Sequence, residues 1–213
     1  MTRPHLTRRA FLAGTGVAAL APRGLLAPVP AEAVAKVGAP APAFTTGATT
    51  GKAVSLADYR GRIVVLEWTN HDCPYVRKHY DTTNMQTLQK DATGQGVTWL
   101  TIISSSPGTQ GHVSPSQADE LTARRNASPS AVLLDPAGVV GRMYGATNTP
   151  HMYVVDPAGT LVYAGAIDDK PTTRRADVTG AQNYVRAALQ SVAAGQPVKT
   201  PVTRAYGCTV KYS

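Results

Sequence analysis

The feature that most constrains the fold is a series of short, dense apolar runs that alternate with segments of helical character. The runs occupy residues 62–68, 97–103, 131–134 and 152–155. Their length and their content of Val, Ile and Leu are typical of strands buried on both faces. The helical segments occupy residues 74–79, about 84–90, 115–125, 139–144 and 181–194. This alternation predicts an α/β domain with a mixed central sheet and helices on both faces.

Two hairpins are expected at the ends of this pattern. Residues 53–56 are strand-like within a Gly-, Pro- and Thr-rich stretch, which predicts an N-terminal hairpin extension. The turn at 156–159, Asp-Pro-Ala-Gly, joins the run at 152–155 to residues 161–163 as an antiparallel hairpin. A C-terminal tail follows the last helix, and no domain boundary interrupts residues 34–200.

The first 33 residues have the pattern of a cleavable export signal. The twin arginine at 8–9 precedes a weakly apolar stretch, and Ala-Glu-Ala at 31–33 has small residues where a signal peptidase cuts. A twin arginine before a weak apolar core indicates the twin-arginine (Tat) route, and a general secretory signal is the alternative. We therefore expect a soluble periplasmic or extracellular protein, in a compartment where two thiols can be stably oxidised.

Composition and charge exclude several classes of protein. The chain of 213 residues has only two cysteines, too few for a disulfide-dense scaffold. Its net charge of +8 comes partly from the N-terminal segment, and its basic residues form no stripe with interleaved aromatics. Beyond the N-terminus no apolar stretch approaches the length of a membrane span. We expect neither a nucleic-acid partner nor a membrane span.

Cys73 lies where a thiol becomes reactive. The apolar run at 62–68 ends in four polar residues, then Cys73 and Pro74, and proline at a first helical position indicates a helix start. A helix N-terminus favours the thiolate through its free N–H groups and its dipole. Arg77, one turn later, extends back toward the sulfur and is expected to stabilise the thiolate. A small buried cysteine used only for packing is the alternative.

Two motifs together carry a family resemblance. They are the 70–80 segment, Asn-His-Asp-Cys-Pro-Tyr-Val-Arg-Lys-His-Tyr, and the 149–156 segment, Thr-Pro-His-Met-Tyr-Val-Val-Asp. In this order among such strands they resemble thioredoxin-fold redoxins, in particular the peroxiredoxin-like alkyl hydroperoxide reductase/thiol-specific antioxidant superfamily. The resemblance implies that Pro150 is cis and opposite Cys73, and that Thr149 offers its backbone to an extended substrate chain.

The sequence departs from its relatives at three positions. Thioredoxins carry a second cysteine where this chain has Val76. Peroxiredoxins have Pro and then Thr or Ser where this chain has Leu66 and Asn70, with Thr69 one residue out of register. This chain therefore lacks the local dithiol of thioredoxins. It also lacks the residues with which peroxiredoxins activate a peroxide, so that activity cannot be inferred from the resemblance.

Cys208, in the tail, is the only other thiol and thus the candidate resolving cysteine. A mixed disulfide or sulfenic acid on Cys73 needs a second thiol to release it. A static disulfide between Cys73 and Cys208 is the alternative, and only its reducibility separates the two cases. A further alternative is a copper-handling protein without enzymatic activity, with His71 and His151 completing a soft ligand set around the two sulfurs.

Other polar residues are expected to have ordinary roles. His71 and His151 are interpreted as polar loop histidines that influence the thiol, and His79 and His112 as surface residues. The pair at 168–169, Asp-Asp, is interpreted as a solvated loop or a helix cap.

The sequence therefore predicts an exported thiol oxidoreductase with Cys73 as nucleophile and Cys208 as resolving thiol. Thr149 and Pro150 position the substrate, and Arg77 stabilises the thiolate. The reaction is thiol–disulfide exchange, or hydroperoxide reduction through a sulfenic acid. No organic cofactor or metal is expected, and the partners are a reducing thiol protein and a protein disulfide or a hydroperoxide.

Overall fold

The apolar runs form the centre of a seven-stranded mixed sheet in a computed structural model that describes residues 1–2 and 34–213. The expected export signal therefore lies outside the described residues. The sheet strands are β1 (Thr45–Ala48), β2 (Ala53–Ser55), β3 (Val64–Trp68), β4 (Thr98–Ile103), β5 (Ala131–Leu134), β7 (His151–Val155) and β8 (Leu161–Gly165). Two short strands, β6 (Asn148–Thr149) and β9 (Cys208–Thr209), pair with each other separately.

The strand order is β2-β1-β5-β4-β3-β7-β8. Strands β3, β4 and β5 are parallel, and β7, β8, β1 and β2 pair antiparallel with their neighbours. The fold class predicted from the alternating pattern is thus confirmed, and the expected N-terminal hairpin extends the sheet at one edge.

In the described part of the chain, five α-helices flank the sheet. They are α1 (Pro74–Asp81), α2 (Asn84–Gly94), α3 (Pro115–Arg124), α4 (Val139–Tyr144) and α5 (Tyr184–Ala193). Side chains along β3 point alternately to the two faces of the sheet and contribute to a hydrophobic core on each. Leu66 and Trp68 pack with Tyr144 of α4 on one face. Val65 packs with residues of α1, α2 and α5 on the other. Helices therefore cover both faces, as predicted.

Two helix boundaries differ by more than two residues from those expected. Helix α5 starts three residues later than residue 181, because Asn183 caps it by accepting a hydrogen bond from the Arg186 N–H at 2.8 Å. Helix α2 continues beyond residue 90 to Gly94, since Leu88 and Ala92 both pack into the core. Neither difference moves Cys73, which is the residue immediately before α1.

The tail, residues 201–213, lies against the domain over most of its length. Val202 forms a parallel bridge with Ala164, and the Val210 N–H donates to the Thr147 carbonyl at 3.0 Å. Between these contacts β9 pairs antiparallel with β6. Within the part of the chain that is described, no helix has the length and apolar character needed to cross a membrane.

Candidate active site

Cys73 lies at the start of α1 and is fully buried. Its thiol donates to the Thr149 carbonyl, with Sγ 3.1 Å from the oxygen. Asn70 fixes the preceding loop: its side chain accepts from the Asp72 N–H at 2.9 Å and donates to the Gln110 carbonyl at 3.3 Å. The polar loop thus holds Cys73 at the start of the helix. In this arrangement the Cys73 side chain is not accessible to solvent.

The loop at Thr149 and Pro150 lies directly against that sulfur. The peptide bond between them is cis, as the sequence motif predicts. Thr149 ends β6, and β7 begins at His151, so the loop is fixed by the central sheet. The two motifs, 76 positions apart in sequence, are therefore brought together by the fold.

Cys208 lies beside Cys73, and the structure records both as free thiols. Cys208 pairs in the β6–β9 ladder with Thr149, the residue whose carbonyl accepts from the Cys73 thiol, and it packs against the buried cluster that contains Cys73. Partial burial, together with this neighbouring thiol, raises the pKa of Cys208 to about 12. The structure thus brings together the nucleophile and the resolving thiol that the sequence predicts; their chemical roles remain predictions.

The backbone edge expected to receive a substrate is already occupied. Strand β9 pairs with Asn148 and Thr149, and Asn148 donates a side-chain hydrogen bond to the Gly207 carbonyl at 3.0 Å. Gly207 has a φ of 132°, and a Cβ there would clash with the Thr149 carbonyl. The chain's own tail therefore fills this backbone edge, and the role of Thr149 and Pro150 in positioning a substrate remains a prediction.

Arg77 is exposed on α1. Its backbone N–H donates to the Cys73 carbonyl at 2.9 Å. Among the described residues, no side-chain hydrogen bond or ion pair of Arg77 is found, and the thiol of Cys73 contacts Thr149 instead. Its role in stabilising the thiolate therefore remains a prediction.

The expectations for His79 and Asp168 are wrong. His79 is fully buried rather than at the surface: its Nε2 lies 3.2 Å from the Tyr206 hydroxyl and its Nδ1 2.9 Å from the Asn84 amide. Asp168 is buried rather than solvated, and its Oδ1 accepts from Tyr206. Lys78 completes the group, with Nζ 3.7 Å from Asp168 Oδ2 and 3.3 Å from the Tyr206 hydroxyl.

We call these four residues, Lys78, His79, Asp168 and Tyr206, the tail anchor. Burial lowers the pKa of His79 to about 3, so its ring is neutral. Burial also lowers the pKa of Lys78, while the carboxylate of Asp168 opposes that shift. The tail anchor could not be predicted from the sequence, because its residues come from α1, the segment after β8 and the tail, which meet only in the folded protein. Polar residues on the inner face of α1 are the only local signal.

Glu67 is a second buried carboxylate that sequence reasoning missed. It lies within β3 and accepts four hydrogen bonds. The donors are the side chains of Tyr80, Gln89, Trp99 and Thr101. Burial raises the pKa of Glu67 despite these donors. A single acid inside an apolar run is the sequence signal that was available.

The four candidate copper ligands do not form one site. His151, expected in a polar loop, is instead buried in β7. It stacks on Tyr153 with ring centroids 4.5 Å apart, and burial lowers its pKa to about 4. His71 pairs with Asp72, its Nε2 3.2 Å from the carboxylate. In the described ranges, no group of three or more His, Cys, Asp or Glu side chains is placed to hold a metal ion. The geometry therefore does not favour the copper alternative.

The fold and this site define a class: a thioredoxin-like redoxin in which a cysteine at a helix start faces a cis-proline loop. Comparison with protein families supports the same class, because residues 37–164 match the model of the AhpC/TSA family. The chain belongs to the AhpC/TSA family. No curated protein matches it.

Three solved structures with the same fold are 21–24% identical to this chain in sequence. An uncharacterised conserved protein from Geobacillus kaustophilus has a TM-score of 0.73 at 24% identity, covering 84% of this chain and 93% of that one. A hypothetical protein from Sinorhizobium meliloti 1021 has a TM-score of 0.70 at 23% identity, covering 84% and 95%. A putative protein disulfide isomerase from Bacteroides thetaiotaomicron has a TM-score of 0.50 at 21% identity, covering 62% and 79%. At these identities the likeness establishes the fold alone.

Proposed function

We propose that this protein is an exported thiol–disulfide oxidoreductase that cycles between a Cys73–Cys208 dithiol and a disulfide. One observation carries the proposal: the tail pairs Cys208 with Thr149, the residue whose carbonyl accepts the hydrogen bond of the Cys73 thiol, although more than a hundred residues separate the two cysteines in sequence. The tail, paired with the cis-proline loop, holds the second sulfur in reach of the first. Two sulfurs so placed form a disulfide with little movement of the backbone.

The catalytic step begins at Cys73. Its thiolate attacks one sulfur of a substrate disulfide, and the other substrate sulfur leaves as a thiolate. The thiol of Cys208 passes its proton to the departing substrate thiolate and attacks Cys73 Sγ of the mixed disulfide, which releases the second substrate sulfur as a thiolate and leaves the Cys73–Cys208 bridge. A thiol protein returns the two electrons by exchange with that bridge. Thr149 and Pro150 position the reacting chains, and Arg77 stabilises the thiolate.

Thiol–disulfide exchange is favoured over hydroperoxide reduction by the environment of Asn70. This residue stands where peroxiredoxins have Thr or Ser, and its side chain is engaged by Asp72 and Gln110 within the loop. It therefore supports the loop that holds Cys73. Export, which the N-terminal residues predict, places the pair in an oxidising compartment, so the cycle depends on the reducing thiol protein to reopen the bridge.

Two serine variants test the nucleophile. In single-turnover reduction of a model protein disulfide, the Cys73→Ser protein is expected to show no reaction above background. The Cys208→Ser protein is expected to react once and stop as a mixed disulfide on Cys73, since no second thiol releases it. Mass spectrometry after acid quenching detects that adduct. An active Cys73→Ser protein would contradict the assignment, and hydroperoxide offered in parallel shows whether it is the better substrate.

A further inference from the structure

A loop from a distant part of the sequence packs against the segment that leads to Cys73. This loop, which we call the β4–α3 loop, comprises residues 104–113 and joins those two elements. Asn70 is only 2% exposed, and its side chain donates to the Gln110 carbonyl in this loop at 3.3 Å. The contact joins residues 40 positions apart in sequence, so neither segment determines it alone.

Asn70 in turn fixes the backbone at Cys73. Its side-chain oxygen accepts from the Asp72 N–H at 2.9 Å, and its own carbonyl accepts from the Cys73 N–H at 3.1 Å. The donor and acceptor ends of an amide are not interchangeable, so these bonds require one orientation of the Asn70 side chain. The position of that amide therefore determines the geometry of the turn that ends at Cys73.

Gly111 is the residue that permits this arrangement. It is buried with a φ of 90°, and a Cβ there would lie 2.5 Å from Cγ and Nδ2 of Asn70. Non-bonded carbon atoms pack at about 3.5–4.0 Å, so a side chain at this position displaces the amide. Gly108, in the same loop, also has a positive φ, 79°, but a Cβ there meets no atom of the described residues within 4 Å. The two glycines thus share a backbone conformation and differ in their contact with Asn70.

The same loop also contacts the tail. The Ser106 N–H donates to the carbonyl of Lys211, three residues beyond Cys208, at 2.9 Å. Two turns hold the loop in shape: the Thr109 N–H donates to the Ser106 carbonyl at 3.1 Å, and the His112 N–H donates to the Thr109 carbonyl at 3.2 Å. One ordered loop therefore touches both of the segments that carry a cysteine.

We propose that the β4–α3 loop positions the two thiols relative to each other, with Gly111 as its central positioning residue. Gly111 leaves room for the Asn70 amide, which fixes the turn at Cys73. The bond to Lys211 holds the tail segment that follows Cys208. This inference rests on the proposed function, because relative position matters for closing the disulfide bridge between the two cysteines.

The first test follows the reactivity of Cys73 and needs no bridge. In a Cys208→Ser background Cys73 is the only cysteine, so iodoacetamide labelling measured by mass reports on it alone. Gly111→Ala is expected to speed labelling about tenfold, because a displaced Asn70 amide loses the hydrogen bonds that fix the buried thiol. Gly108→Ala introduces the same strain at a positive φ and, as the matched control, is expected to leave the rate unchanged. Equal rates in all three proteins would overturn the role of Gly111.

A double-mutant cycle separates positioning from a general loss of stability. In Asn70→Ala there is no amide for a Cβ at residue 111 to displace, so adding Gly111→Ala is expected to change labelling by less than about twofold. A general destabilisation would speed labelling equally in both backgrounds, and that result would overturn the proposal. If Gly111→Ala does not fold, Asn70→Ala tests the same contact without strain at residue 111. Labelling that stays slow in Asn70→Ala would also overturn the proposal.

The second test measures the closing of the bridge in the protein with both cysteines. Reduced protein is mixed with saturating glutathione disulfide, which accepts two electrons and leaves as two glutathione molecules. Bridge formation, counted by alkylation and mass, is expected to slow about tenfold in Gly111→Ala and to be unchanged in Gly108→Ala. An unchanged rate in Gly111→Ala would show that the loop does not position the thiol pair.

The outcomes separate this inference from the function on which it rests. If no protein forms a bridge, the oxidoreductase proposal fails, while the labelling of Cys73 still decides whether Gly111 positions its turn. If the bridge forms and turns over equally fast in Gly111→Ala, the oxidoreductase proposal stands and the role of the loop is overturned.

Discussion

Glu67 is fully buried, which is uncommon for a carboxylate. It lies in the central strand with four side-chain donors directed at one carboxylate. Such a network links β3 to α1, α2 and β4 and thereby supports the strand that leads to the active-site loop. Burial nevertheless raises the pKa of Glu67 above its usual value of 4.5.

This raised pKa predicts a pH-dependent stability. The folded state retains a proton that the unfolded chain releases, so the contribution of Glu67 to stability falls as pH rises from 4.5 through the pKa of the folded state. Glu67→Gln removes the titration. The stability of the native protein relative to Glu67→Gln is expected to decline with pH in this window, as measured by urea unfolding. Glu120→Gln, at an exposed site on α3, is the control; a flat difference for Glu67 would contradict the prediction.

At the scale of elements, the β6–β9 pair is the part of the fold on which the proposed chemistry depends. It holds Cys208 opposite Thr149, and thereby beside Cys73. Its closeness to the cis-proline loop depends on Gly207, whose positive φ and lack of a Cβ allow the tail backbone to approach the Thr149 carbonyl.

Gly207→Ala is therefore expected to separate the two thiols. Both the clash and the unfavourable φ oppose pairing of β9, so bridge formation under mild oxidant should slow by at least about tenfold. Mass spectrometry of alkylated samples measures the rate. Gly180→Ala is the matched control, because Gly180 also has a positive φ, 77°, but open space around it. Unchanged bridge formation in Gly207→Ala would show that the pairing does not position Cys208.

Structural features are predicted well from the sequence where neighbouring residues determine them. Cys73 with Pro74, and Thr149 with Pro150, are adjacent pairs whose backbone restrictions act within the motif itself. Tyr206 and Asp168 could not be predicted, because their contact joins parts of the chain that come together only in the folded protein. The prediction that His79 lies at the surface is wrong for the same reason. A polar residue on a helix is expected to face solvent unless the segment that covers it is known.

At the scale of the whole molecule, the buried neutral histidines predict that the free energy of unfolding falls in acid. Burial lowers the pKa of His151 to about 4 and that of His79 to about 3, whereas the unfolded chain titrates near 6.5. The unfolded state therefore binds protons first, and stability is lost as pH falls below 6.5. As pH falls from 6.5 to 5, each of these two histidines is expected to lower the free energy of unfolding by roughly 2 kcal/mol.

A His151→Gln protein tests this expectation without relying on absolute stability. Its loss of unfolding free energy between pH 6.5 and 5 is expected to be smaller than that of the unaltered protein by up to about 2 kcal/mol, measured by urea unfolding. His112→Gln, at an exposed site, is the control and should keep the full loss. An equal loss in all three proteins would show that His151 is not held neutral by burial.

The most direct test of the central claim is an equilibrium redox titration of the full-length protein in glutathione buffers, with free thiols alkylated under denaturing conditions and counted by mass. We expect one reversible transition from two alkylated thiols to none, with the oxidised form lighter by two hydrogens, since Cys73 and Cys208 are the only cysteines. Two alkylated thiols at every potential, or a bridge that no buffer opens, would contradict a catalytic thiol pair.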